Sequence, residues 1–112
     1  MKIVAVTSCL TGIAHTYLAA EALEINAIAN GIDIKVETQG AIGLENKITE
    51  DEVRNADVVI LTNDIEVEES ERFEGKYIVR VSVKDLVMRA NEILKNIKSE
   101  FDRWVDSKLQ AL

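Results

Sequence analysis

The chain contains no proline, one cysteine and one histidine, and each scarcity removes a class of protein. Without proline, and without any internal repeat or low-complexity stretch, nothing in the 112 residues marks a linker between domains. A single cysteine, Cys9, cannot form an internal disulfide and fits a reducing compartment. His15, six positions after it, brings the set to two ligands where a metal site needs three or four, so no metal is expected; no cofactor is expected either. Basic charge is short as well. Thirteen Lys and Arg face twenty Asp and Glu, a net charge of −7 that repels nucleic acid backbones and anionic lipid alike. No apolar run nears the roughly 20 residues of a membrane-spanning helix, so direct membrane insertion is not expected. Met1-Lys2 leads straight into a strand-like run rather than a secretory signal. With 47% hydrophobic residues the chain has material for a core, and a single cytoplasmic domain is expected.

What is present alternates between strand and helix patterns. Residues 2–7 form an apolar strand, and residues 12–30 a helix with Leu18, Ala22, Ile25 and Ala29 at helical spacing and Asn30-Gly31 as its stop. Residues 33–38 make a second strand, in which Ile34 and Val36 alternate with Asp33, Lys35 and Glu37. Thr49-Glu50-Asp51-Glu52 has the form of a capping box and opens a short helix to about Ala56. Residues 57–62 are a third strand around Val58-Val59-Ile60-Leu61, and a brief helix over 69–73 ends at Gly75. Residues 77–81 are a fourth strand, after which Ser82 caps a long C-terminal helix.

Strand chemistry orders the sheet. The first and third strands are apolar on both faces, as central strands under two helical layers must be. The second alternates with polar residues and the fourth carries Arg80, so both are expected at edges. Right-handed parallel crossovers then predict a three-layer α/β fold, Rossmann-like or flavodoxin-like, with a four-stranded parallel sheet of order 2-1-3-4. Helices cover both of its faces. Ligands of such sheets bind where the chain direction reverses, outside the carboxyl ends of the strands, and Cys9 follows strand one at that point.

The segment Ser8-Cys9-Leu10-Thr11-Gly12-Ile13-Ala14-His15-Thr16 thus joins a strand to a helix start. Unpaired N–H groups and the positive end of the helix dipole make an anion site there, and the same environment favours the thiolate, the nucleophilic form of cysteine. Gly12 lets the backbone approach a ligand, and Thr11 and Thr16 add hydroxyl donors. The plain alternative for Cys9 is a small buried hydrophobe. Its place among short polar residues beyond the strand's apolar run argues for function. His15 stands where a cysteine phosphatase loop carries an arginine, and is either a surface residue or a donor beside a phosphorylated thiol.

On these residues the chain resembles the fructose-type enzyme IIB domain of the bacterial phosphoenolpyruvate-dependent sugar phosphotransferase system. The likeness runs from Lys2 to about Leu94, over KIVAVTSC, CLTGIAHTYLAAEALE, IKVETQGAIGLEN and ADVVILTNDIEVEESERFEGK. The family loop reads Cys-Pro-Thr-Gly-Ile-Ala-His-Thr, and Leu10 alone departs from it. The resemblance implies a phosphohistidine–sugar phosphotransferase working through a phosphocysteine. Cys9 would accept the phosphoryl group from enzyme IIA and pass it to a sugar, fructose or a related one, held by membrane enzyme IIC. It also implies phosphate contacts from Leu10, Thr11, Gly12, Ile13, Ala14, His15 and Thr16, with no metal. Two other classes stay open: a small cysteine phosphatase, and a phosphate-binding module that needs no thiol.

Outside the loop, Gln39-Gly40 and Asn63-Asp64 end strands two and three on the rim that carries Cys9. They are expected either to support or dock at the site, or to serve only as turn residues. The acidic run Glu66, Glu68, Glu69 and Glu71 is expected to be a solvated face. Residues 1–98 are read as the domain and 99–112 as a C-terminal helical extension. Leu86, Ala90, Ile93, Ile97, Phe101, Trp104 and Leu109 keep a helical period; the first half can cover the sheet, and the second, from about Ser99 with Phe101 and Trp104, either folds back on the domain or serves a dimer or a transporter domain. Oligomeric state stays open. Proline at position 10 would fix the loop's φ and remove one N–H donor, whereas leucine loosens the loop and keeps the donor. The site is expected to work with leucine, so Leu10→Pro should raise the phosphorylation rate by less than about tenfold. A larger gain in single-turnover assays would mark Leu10 as a damaging substitution.

Overall fold

Strand β1 (Lys2–Ser8) has no exposed face, and the architecture follows from that. The computed structural model describes residues 1–9 and 14–111. In chain order they form β1, α1 (Ala14–Ala29), β2 (Asp33–Gly40), β3 (Gly43–Glu45), α2 (Glu50–Asn55), β4 (Val58–Thr62), a 3₁₀ turn (Ser70–Phe73), β5 (Ile78–Val81) and α3 (Val83–Gln110). Ile3 and Ala5 of β1, with Val58 and Ile60 of β4, enter a core shared with α1 and α3. Val4 and Val6, with Val59 and Leu61, enter a second core on the other face, closed by Ile48, Val53, Val67 and Phe73. Two cores on one sheet make the expected three layers. Each fully buried Leu, Ile or Phe in them contributes about 2 kcal/mol. Among the described residues, no helix is long and apolar enough to cross a membrane.

The sheet itself corrects the expectation. It has five strands in the order β3-β2-β1-β4-β5, and it is mixed. The four strands read from the sequence keep their order and run parallel, β2 with β1, β1 with β4 and β4 with β5. The addition is β3, which folds back antiparallel on β2 through the pairs Thr38↔Glu45, Gln39↔Leu44 and Gly40↔Gly43. The turn at Ala41-Ile42 is possible because Gly43 takes φ +100°, a conformation side chains oppose. Strand β2 is therefore covered over its last residues and is not the edge its alternation suggested. At the opposite side β5 is an edge, and Arg80 is exposed there.

The helices keep their caps but not all their expected faces. Thr49 and Glu52 close a reciprocal capping box on α2, and Ser82 accepts from the Asp85 N–H at the start of α3. Helix α1 buries Ala19, Ala20, Leu23 and Ala27, while Leu18 and Ile25 are 48% and 56% exposed. Apolar residues occupy most positions of α1, so periodicity alone cannot choose its inner face. The alanines, with little side chain to accommodate, form the face set against the sheet. Helix α3 buries Leu86, Ala90, Leu94 and Ile97 and has non-helical angles at Arg89, where neither Pro nor Gly is present. Past residue 99, Phe101 and Trp104 close a three-ring cluster on Tyr77, with centroid distances of 5.6 to 5.9 Å. That part of the helix lies on the domain. Leu109 remains exposed.

Candidate functional site

The site begins where β1 and β4 stop pairing. Their ladder runs from Ile3↔Val58 to Val6↔Leu61. Beyond it the Thr62 side chain replaces backbone. Its Oγ1 accepts from the Ser8 N–H at 2.9 Å and donates to the Ser8 carbonyl at 3.0 Å. Thr62 and Ser8 are both buried, so these bonds satisfy groups that water cannot reach. One residue back, Thr7 Oγ1 donates to the Thr16 carbonyl at 3.0 Å. The last turn of β1 and the first turn of α1 are thereby held together, and Cys9 is fixed between them. The Thr16 hydroxyl, fully buried, donates to Cys9 Sγ at 3.2 Å. A hydroxyl directed at sulfur stabilises the negative charge of the thiolate.

Cys9 is half-buried and opens on two clefts. The first, about 450 Å³, is polar: Ser8, Gln39, Gly40, Ala41, Glu66 and Glu68 line it, with Gly43, Leu44 and Ile65. The second, about 360 Å³, is lined by His15, Asp64, Val83, Lys84, Val87 and Met88. The two differ in charge. Carboxylates edge one, and a histidine and a lysine edge the other, which also carries Asp64.

A buried carboxylate holds the wall of the polar cleft in place. Glu37, with no exposed surface, receives Arg72 Nη1 and Nη2 at 2.8 and 2.6 Å, Gln39 Nε2 at 2.8 Å and the Ile48 N–H at 2.9 Å. Gln39 then brackets the backbone of Glu68, donating to its carbonyl at 3.0 Å and accepting from its N–H at 2.8 Å. Burial pushes the Glu37 carboxyl up, but the bonds from Arg72, Ile48 and Gln39 outweigh it and hold it below its ordinary value. On the outer side, the Tyr17 hydroxyl donates to Glu45 at 2.6 Å and ties α1 to β3. That bond, more than burial, raises the Tyr17 hydroxyl above its ordinary value.

Of the expected site residues, the structure brings Cys9, His15 and Thr16 together, with Ala14 exposed at the start of α1. Leu10, Thr11, Gly12 and Ile13 lie outside the described residues. Gln39 and Gly40 line the polar cleft. Asp64 lines the other, and its carboxylate accepts from the Val83 N–H at 2.7 Å. Asn63 lines neither; its N–H donates to the Val81 carbonyl at the strand end. Glu66, Glu68, Glu69 and Glu71 are exposed, as a solvated face should be, yet Glu66 and Glu68 also line the polar cleft on which Cys9 opens. Sequence reasoning missed Glu37, Arg72 and Lys84. Glu37 sits among residues that alternate as if facing water, and Arg72 is 35 positions away, so no local signal joins them.

Fold and site together define a small doubly wound α/β protein with its cysteine at the switch point of the sheet. The model of the family described as the lactose/cellobiose-specific IIB subunit of the PTS system matches residues 4–96. The chain is 57% identical over 98 residues to the PTS system fructose-like EIIB component 2 of Escherichia coli K12, covering 88% of this chain and 92% of that one. It is 42% identical over 99 residues to the PTS system fructose-specific EIIABC component of Bacillus subtilis, covering 88% of this chain and 15% of that longer one. A domain of the fructose-specific IIABC component from Borrelia burgdorferi superposes with a TM-score of 0.79 at 49% identity, over 84% of this chain and 89% of that one. The chain belongs to the EIIB family of the phosphotransferase system.

Two outcomes follow from this geometry. Thr16→Val removes the hydroxyl at Cys9 but leaves the Thr16 carbonyl to Thr7, so iodoacetamide alkylation at pH 7 should slow about three- to tenfold with unchanged circular dichroism. Glu37→Gln strands Arg72 and should lower stability by about 3–5 kcal/mol in urea titrations. Because the folded-state pKa of Glu37 is depressed, its contribution is present above the unfolded value near 4.5 and is lost as pH falls through the lower folded value. The variant's stability should accordingly fall less steeply than that of the wild type on acidification below pH 4.5.

Proposed function

We propose that the chain is a phosphoryl carrier acting through Cys9. In the first step the thiolate attacks the phosphorus of a phosphohistidine on an enzyme IIA. The S–P bond forms, the N–P bond breaks, and the imidazole nitrogen leaves with the electron pair. In the second step a sugar hydroxyl forms an O–P bond, the S–P bond breaks, and the thiolate is restored as the hydroxyl proton is released. Such transfers ask the protein for position and charge more than for covalent chemistry. Residues Leu10, Thr11, Gly12, Ile13, Ala14, His15 and Thr16 hold the phosphoryl oxygens in this reading. The observation that carries it is Cys9 at the end of β1 with the Thr16 hydroxyl 3.2 Å from its sulfur, in a chain of the EIIB family.

The sugar is fructose or a related one. The family description names lactose and cellobiose, but the Escherichia coli and Bacillus subtilis relatives, 57% and 42% identical, carry fructose in their names. The Bacillus subtilis relative joins A, B and C parts in its name. This supports an enzyme IIA as donor and a membrane enzyme IIC as holder of the sugar. The carrier works in the cytoplasm beside that membrane component, with residues 1–98 as its domain and 99–112 as a C-terminal extension whose Phe101 and Trp104 rest on Tyr77.

Intact mass after incubation with phosphoenolpyruvate, the general phosphotransferase proteins and a fructose-type enzyme IIA tests the reading. One phosphoryl group should be gained, and none by Cys9→Ser. Equal gain in both would place the group elsewhere. Failure of both, with anion binding retained, would favour a binding module, and turnover of a phosphate ester would favour a phosphatase.

A further inference from the structure

We propose that Lys84 is the cation that answers the phosphoryl group on Cys9. The inference rests on the carrier reading and adds a residue that reading lacks. A phosphoryl group brings about −1.5 to −2 charge. It would arrive in a chain of net charge −7, next to Glu66 and Glu68. A local cation lowers the energy of such a group far more than distant ones, which water screens. Among the described residues, Lys84 is the only lysine or arginine on either cleft that opens on Cys9. It is also uncommitted. Lys35, Lys47, Arg54, Arg72 and Arg89 each pair with a carboxylate, and Lys84 enters no ion pair among the described residues.

The backbone that carries it is tied to the strands beside the thiol. Thr62 locks the end of β4 to Ser8, the neighbour of Cys9. Two residues on, the Asp64 carboxylate accepts from the Val83 N–H at 2.7 Å, and Ser82 accepts from the Asp85 N–H at 3.0 Å. The first turn of α3, which presents Lys84, is thereby tied to the strand that borders the thiol. Asp64 acts here as a positioning residue, its carboxylate engaged by backbone. The Lys84 ammonium favours the phosphorylated form because that form carries more negative charge than the thiolate.

The test uses enzyme IIA phosphorylated beforehand and freed of phosphoenolpyruvate, mixed with wild type, Lys84→Gln or Lys84→Arg. The ratio of phosphorylated carrier to phosphorylated enzyme IIA is read at equilibrium. Lys84→Gln should lower the transfer equilibrium constant about three- to tenfold at low salt. Lys84→Arg should retain it, the difference should shrink at high salt, and the thermal midpoints should agree. Equal constants for wild type and Lys84→Gln would overturn the inference. So would equal constants accompanied by a slower approach to equilibrium at low enzyme IIA concentration, which would make Lys84 a docking contact. If the wild type itself takes no phosphoryl group, the carrier reading falls, and this inference falls with it.

Discussion

The buried carboxylate of Glu37 gathers hydrogen bonds from three separate segments of the described chain. Removing a carboxylate and a guanidinium from water costs several kcal/mol per ion, and mutual attraction offsets this only when the remaining hydrogen-bonding capacity is filled. Here Arg72 supplies a two-pronged contact, and Gln39 and the Ile48 N–H complete the shell. Arg72 also donates to the Ile48 and Glu69 carbonyls and lies 4.7 Å from the Phe73 ring centroid. One arginine thus joins the end of β2, the segment before α2 and the 3₁₀ turn. An apolar substitute of equal volume would pack as well, but it would not specify where these three segments meet. Because Gln39 extends the same network to Glu68, that specification reaches the cleft beside Cys9.

What was legible in the sequence is what local physics determines. The apolar runs of β1 and β4 identified central strands because both faces of each are covered. The Thr49–Glu52 capping box and the Ser82 cap were legible because the bonds span three residues. The switch-point position of Cys9 followed from strand order, which handedness restricts. Features that depend on partners distant in sequence were not legible. Strand β3 is three residues long and exists because Gly43 lets the chain return onto β2. Glu37 looks solvent-facing until Arg72 is placed against it.

Helix α1 shows a limit of degeneracy rather than distance. Its stripe of Leu18, Ala22 and Ile25 has helical spacing, but together with Val87 it lines a shallow surface hollow along the seam with α3. The buried stripe is made mostly of alanine, whose transfer free energy is small. A side-chain hydrophobicity count therefore favours the wrong face. Burial there is decided by how closely the helix must approach the sheet, and small residues permit that approach.

Charge divides the surroundings of the thiol along the same lines as the layers of the fold. On the β2–β3 side stand Glu66 and Glu68, the latter with its backbone bracketed by Gln39. On the α3 side stand His15 and Lys84, with the Asp64 carboxylate turned to the Val83 N–H. In-line displacement requires that the entering and leaving atoms lie opposite each other across phosphorus. In a relay through Cys9, the donor nitrogen and later the sugar oxygen would both stand opposite Sγ, so the two partners would use one approach in turn. Glu66 and Glu68 on one cleft would oppose a second anion there, and Lys84 on the other would attract one. The oxygens of a phosphoryl group on Cys9 would accordingly be drawn toward Lys84 at the start of α3.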